Sequence, residues 1–169
     1  MNIDIAQKVV ELLNRLKNKK PLIHNITNYV TVNDCANILL AIGASPIMAD
    51  DLKESADITS IASALVINIG TLNERTIESM IASGKKANEL NIPVVLDPVG
   101  AGASSFRNET TKRILEEIKI SVLRGNMSEI KFIAGLESET KGVDASESDL
   151  KSDSDEGIRV RSEERRVGK

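Results

Sequence analysis

Val94-Val95-Leu96-Asp97-Pro98-Val99-Gly100-Ala101-Gly102-Ala103 decides the fold of this 169-residue chain. Pro93 to Leu96 is an apolar run of strand length that stops at a carboxylate. It then enters a loop with two glycines one residue apart and no bulky side chain. A second stretch repeats the arrangement: Ile120 to Leu123 is apolar, and Arg124-Gly125-Asn126-Met127-Ser128-Glu129 turns from it into a helix. In an open parallel sheet, ligands bind outside the carboxyl ends of the strands. Asp97, Arg124, Asn126 and Glu129 are therefore expected to converge on one crevice. An arginine suits phosphate oxygens. Two carboxylates suit Mg2+, which takes one or two from protein and the rest from water and phosphate. That set points to phosphoryl transfer. Asp97 and Glu129 also have a plainer reading, as helix caps.

Working outward from these two stretches, apolar strands alternate with amphipathic helices. Residues 3 to 19 place Ile5, Val9, Leu12, Leu13 and Leu16 on one helical face, and Pro21 ends that helix. Leu22-Ile23 is a short strand, followed by the polar loop His24-Asn25-Ile26-Thr27-Asn28. This loop holds the one histidine and two amides, so it could grip a small polar ligand, or His24 could be a satisfied structural group. Val30 to Ile42 reads as a helix closed by Gly43, and Ser45 to Ala49 as a strand carrying Met48. Met48 is either core filler or the lining of a pocket at that strand's end. Asp50-Asp51 can start the next helix. Ala62 to Ile69 is a buried strand, Asn73 to Asn91 a long helix, Ser104 to Lys119 another, and Ser128 to Ala134 a last short one. The alternation predicts an α/β fold, a mostly parallel sheet with helices on both faces.

Residues 1–135 thus form one domain by their pattern. Residues 136–160 are rich in Ser, Asp, Glu and Lys, with no apolar period, and read as polar loop or helix of uncertain order. Residues 161–169 fit no fold logic and read as a non-native tail, like a translated sequencing adapter.

Composition narrows the function. Aromatic residues are 2% of the chain and the net charge is −3, so neither stacking platforms nor a basic field is there for nucleic acid. The lone Cys35 excludes a disulfide framework and reads as a small packed hydrophobe. No signal-peptide centre, membrane-length apolar run or basic membrane-binding face is visible, which makes a cytoplasmic protein the expectation. Gly100-Ala101-Gly102 lacks the third glycine of a dinucleotide fingerprint, and no Gly-Lys-Ser/Thr marks a P-loop.

Five segments in order carry a family resemblance. Pro21-Leu-Ile-His-Asn-Ile-Thr-Asn28, Gly43-Ala-Ser-Pro-Ile-Met-Ala49, Val66-Ile-Asn-Ile-Gly-Thr-Leu72, Leu96-Asp-Pro-Val-Gly-Ala-Gly-Ala103 and Arg124-Gly-Asn-Met-Ser-Glu129 closely resemble the hydroxyethylthiazole kinases of the ribokinase-like superfamily. The resemblance implies ATP-dependent phosphorylation of the hydroxyl of 4-methyl-5-(2-hydroxyethyl)thiazole, a thiamine salvage step. It implies that Asn28, Met48 and Gly70 bind the thiazole, that Arg124 and Asn126 bind ATP, and that Asp97 and Glu129 organise Mg2+. It also implies a homotrimer with active sites between neighbouring subunits. Family members are considerably longer. Their further segment carries a Thr-Gly contact to ATP and a glycine-rich helix start with the residue that activates the hydroxyl. This chain is therefore expected to be a C-terminally truncated form, inactive by itself. Two other classes compete: a ribokinase-like lyase acting on hydrated nicotinamide nucleotides, and a non-catalytic ligand-binding half-domain.

Overall fold

The computed structural model describes residues 4–135; the expectations for 136–160 and 161–169 lie outside the described residues. The elements in chain order are α1 (Ile5–Lys19), β1 (Leu22–Ile26), α2 (Val32–Ile42), β2 (Ser45–Ile47), α3 (Ser55–Ile61), β3 (Ala64–Asn68), α4 (Glu74–Glu89), β4 (Val94–Asp97), α5 (Ser105–Glu117), β5 (Val122–Leu123) and α6 (Met127–Ile133). The five strands are all parallel, in the order β2-β1-β3-β4-β5.

Local chemistry sets most element ends. Asp4, Asn73 and Ser104 cap α1, α4 and α5 by accepting from the amides of Ala6, Thr76 and Arg107. Lys20 turns left-handed after α1, and Gly43 does so after α2 at φ 95°. A side chain at Gly43 would also meet Lys17 of α1, with Cγ only 2.8 Å from the added carbon. The expected loop from His24 to Asn28 is corrected: β1 continues through Ile26. Its polar residues belong to the sheet because they are buried and bonded there. The helix expected from Val30 begins at Val32, because the Asn28 side chain ties down the turn before it. Asn28 Oδ1 accepts from the amides of Val30 and Thr31, both at 3.0 Å.

The strand order places the helices. The chain steps from β1 to β2 in one direction, then from β2 to β3, β4 and β5 in the other. Right-handed crossovers put α2 on one face and α3, α4 and α5 on the opposite face. Packing agrees, since α3 lies on α4, α4 on α5, and α1 on α2. The strands alternate accordingly. Leu65, Ile67, Ile69, Val94 and Leu96 are fully buried under Ile77, Met80, Ile81 and Ala87 of α4, with Ile114 of α5 and Ile118 just after it. Gly84 lets α4 approach this closely, because a Cβ there would meet Ile118 Cδ1 at 2.2 Å.

The other face is thinly covered. Ala64, Val66 and Val95 are only half-buried, and neither α1 nor α2 has a buried residue. Ile5, Val9, Val10, Leu12, Ile38 and Leu40 are exposed. Contiguous apolar surface of this kind drives association. The 169-residue chain on its own is therefore expected to self-associate as its concentration rises. Sedimentation velocity over a dilution series checks this; one monomeric boundary at every concentration would contradict it.

Candidate active site

The β3–β4 register sets Asn68 directly beside Asp97. The β4–β5 register pairs Leu96 with Leu123, so the next rung brings Arg124 beside Asp97. Each of these residues follows a core-facing side chain, so all three emerge on the opposite face, at the carboxyl end of the sheet. The result is one hydrogen-bonded row. Asn28 Nδ2 donates to Asn68 Oδ1 at 3.0 Å, and Asn68 Nδ2 donates to Asp97 Oδ2 at 3.1 Å. Arg124 Nη1 donates to the same Asp97 oxygen.

The candidates Asn28, Met48, Gly70, Asp97 and Arg124 sit at the carboxyl ends of strands. Asn28 follows β1 by two residues, Met48 follows β2 by one, Gly70 follows β3 by two, and Arg124 follows β5 by one. The order in which β1 neighbours both β2 and β3 puts the topological switch point between β1 and β3, where such sheets bind ligands. Asn28 and Gly70 flank it. Gly70 lies hard against Asn28, because a Cβ there would be 2.9 Å from Asn28 Cβ. Its amide donates to Asn68 Oδ1 at 2.9 Å, so Asn68 holds both residues.

Asn126 and Glu129 start α6 with a reciprocal capping box. Asn126 Oδ1 accepts from the Glu129 amide at 2.9 Å, and Glu129 Oε2 accepts from the Asn126 amide at 2.8 Å. The second carboxylate oxygen, Oε1, accepts from the Gly100 amide at 2.8 Å. Glu129 therefore ties the glycine loop after β4 to the turn after β5. The plainer reading of Glu129, as a helix cap, is met by these bonds.

Electrostatics follow from burial. Burial pushes the Asp97 carboxyl above its ordinary value, against the pull of Arg124 and the amide of Asn68. Burial raises Glu129 as well, opposed by the amides of Gly100 and Asn126, and the charge of Asp97 raises it further. Geometry links the two carboxylates as well, since Glu129 Oε1 accepts from the amide of Gly100, three residues beyond Asp97. Arg124 has 75% of its side chain exposed, so its guanidinium is open to a ligand beyond Asp97. Asp97 Oδ1 accepts no hydrogen bond among the described residues, and Asn126 Nδ2 is a buried donor without a partner there. A free carboxylate oxygen and an open guanidinium suit a hydrated divalent cation and the oxygens of a phosphate. The described residues hold no cluster of three or more metal-ligating side chains, so a cation would take most of its ligands from water and phosphate.

His24 resolves as a structural group. It is fully buried, with Nε2 2.8 Å from the Ala49 carbonyl and Nδ1 2.8 Å from Thr59 Oγ1. The carbonyl can only accept, so Nε2 carries the proton in the neutral ring. Burial lowers the His24 pKa from its ordinary 6.5, outweighing the Ala49 carbonyl and the charge of Glu54, which raise it. A folded pKa below the unfolded one means that the unfolded chain binds the proton first as pH falls. Stability is then complete above about pH 6.5 and falls below it, by at most ~1.4 kcal/mol per pH unit, until the folded value is reached. Urea unfolding between pH 5 and 8 checks this, and His24→Gln is expected to remove that slope (pH range set by the ordinary His value).

Two residues that shape the site went unread in the sequence: Asn68 in the row, and Arg107, whose guanidinium donates to the carbonyls of Ile69, Gly70 and Val99. Asn68 left a faint mark, as the one polar residue in an apolar run just before Gly70. Arg107 left none, since its contacts depend on how α5 docks.

The model of the hydroxyethylthiazole kinase family matches residues 13–160. The chain is 81% identical over 160 residues to the hydroxyethylthiazole kinase of Clostridium beijerinckii, covering 95% of this chain and 58% of the relative. It is 72% identical over 149 residues to the hydroxyethylthiazole kinase of Ruminiclostridium cellulolyticum, covering 88% of this chain and 55% of the relative. It matches the solved structure of the hydroxyethylthiazole kinase protein from Pyrococcus horikoshii OT3 with a TM-score of 0.73 at 46% identity, covering 76% of this chain and 50% of that one. The chain therefore spans little more than half the length of the curated relatives it matches.

Proposed function

The chain belongs to the hydroxyethylthiazole kinase family, and from that premise we propose that the full-length protein transfers the γ-phosphoryl group of ATP to the hydroxyl of 4-methyl-5-(2-hydroxyethyl)thiazole. The observation that carries this reading is the row Asn28–Asn68–Asp97–Arg124 across the strand ends. It spans from amide groups suited to a small heterocycle, through a carboxylate, to an exposed guanidinium suited to phosphates.

In this reading Asn28, Met48 and Gly70 form the alcohol's side of the crevice. Arg124 and Asn126 form the ATP side, where the exposed Arg124 guanidinium takes phosphate oxygens. Asp97 and Glu129 would be the carboxylates that hold Mg2+, Asp97 with one oxygen free of hydrogen bonds. When bound, Mg2+ supplies charge neutralisation across the phosphates. The protein's own task is to position and to offset charge, which is most of what phosphoryl transfer requires. The family resemblance extends the proposal to a homotrimer with sites at subunit boundaries.

The test is turnover by the full-length protein with ATP, Mg2+ and the thiazole alcohol. ADP should appear in step with the phosphorylated alcohol. ADP release that ignores the alcohol would sink the assignment. Turnover of hydrated nicotinamide nucleotide in its place would favour the lyase class instead. No helix among the described residues is long and apolar enough to cross a membrane.

A further inference from the structure

Arg107 is half-buried on the first turn of α5, and its guanidinium is directed entirely at main chain. Nη1 donates to the carbonyls of Ile69 at 2.7 Å and Val99 at 2.5 Å, and Nη2 donates to the carbonyl of Gly70 at 2.8 Å. Among the described residues it has no carboxylate partner within salt-bridge distance. A partly buried cation is costly unless its donors are satisfied, and here backbone carbonyls take three of the guanidinium's five N–H groups. Those acceptors belong to the two loops that form the crevice: Ile69-Gly70 after β3 and Val99 after β4.

The clamp reaches both halves of the site. On the β3 side, Gly70 is bonded through its amide to Asn68, which also receives Asn28. On the β4 side, Gly100 packs on the arginine stem, where a Cβ would lie 3.2 Å from Arg107 Cδ. Gly100 adopts φ 74°, and its amide is the one that Glu129 accepts. Arg107 thus fixes the carbonyl directions that aim the Gly70 and Gly100 amides, without itself standing in the row of polar groups.

The geometry points to Arg107 as a positioning residue for the reaction, acting through Gly70 on the alcohol's side of the crevice. The inference rests on the kinase reading above for its kinetic arm only. Lysine has the charge but not the fork, so it cannot span three carbonyls in two loops.

In the full-length protein, R107K and R107A are expected to raise KM for the thiazole alcohol about tenfold or more, because small misplacements of binding groups are costly. KM for ATP should rise less in the same variants, since Arg124 and Asn126 keep their own bonds and Arg107 reaches that side only through the Gly100 amide that Glu129 accepts. Free guanidinium should restore much of the alcohol affinity to R107A and none to R107K, whose ammonium fills the place. A purely structural arginine would instead lower the melting temperature and the active fraction with both KM values unchanged and no rescue, and that result overturns the proposal. So does loss of the cooperative fold in both variants. Amide hydrogen exchange separates this from failure of the kinase reading. If the wild-type protein turned over no thiazole alcohol, R107K should still lose protection selectively at Gly70 and Gly100 while the α4 amides keep theirs. Unchanged protection at both glycines would dismiss the clamp whatever the substrate.

Discussion

Asp97→Asn in the full-length protein is expected to lower kcat/KM by about 10²- to 10³-fold, the usual cost of removing one fixed charge from a transition-state site. The substitution keeps the shape and deletes the negative charge at the centre of the row. Two consequences follow together. The free oxygen that would hold Mg2+ becomes a neutral group with little affinity for a hard cation. Arg124, held over Asp97 by that charge, is released to solvent. The Mg2+ concentration for half-maximal rate should therefore rise along with KM for ATP. Stability should hardly change. A pair with one partner three-quarters exposed contributes at most ~1 kcal/mol. Burial also raises the Asp97 pKa above its unfolded value, so charge on this group costs folding energy as pH rises through that window, and the neutral amide avoids the cost. A large kinetic loss with an unchanged urea midpoint is the expected signature. The same upward shift moves the Asp97 contribution to the acid limb of the wild-type pH–rate profile up from the ordinary aspartate value, and D97N should lose that contribution. A variant within twofold of wild-type kcat/KM would remove Asp97 from the site.

The positions of Asp97, Arg124 and Glu129 were legible because they depend on strand ends. An apolar run that stops at a charged residue before glycine marks the carboxyl edge of a parallel strand, and register then brings neighbouring edges together. The α/β architecture was legible for the same reason, through the spacing of apolar runs. The extension of β1 was not. His24 and Asn25 look like loop residues because polar groups are rarely buried, and only Thr59, the Ala49 carbonyl and the Ile23 carbonyl show how these are satisfied. Asn68 and Arg107 were missed for a related reason. Their meaning lies in bonds to residues 29 to 40 positions away along the chain, and nothing in local pattern encodes such a partner.

Glu129→Ala should give the opposite signature from Asp97→Asn: a large loss of stability. Glu129 is 3% exposed, and each of its oxygens accepts a backbone amide at 2.8 Å. Truncation leaves the Gly100 and Asn126 amides facing a void with no acceptor, and it breaks the capping box of α6. An unmet buried donor costs about 1–3 kcal/mol and a lost cap about 1. Because these terms share one side chain and partial solvation offsets them, about 2–4 kcal/mol is expected for the pair of loops. Glu129→Gln separates charge from hydrogen bonding. Its carbonyl oxygen can still accept one amide, while its NH2 group faces the other donor, so about half the loss should remain. The pKa direction supports that ordering: burial disfavours the charged form of Glu129, so a neutral isostere sacrifices a bond but is spared a desolvated charge. Urea unfolding of the three proteins measures the series. Midpoints ranked wild type, Gln, Ala, with a gap at each step, are the expected result. If Ala matched wild type while Mg2+ dependence shifted, Glu129 would act on the ion alone, and the joining of the β4 and β5 loops would have to come from elsewhere.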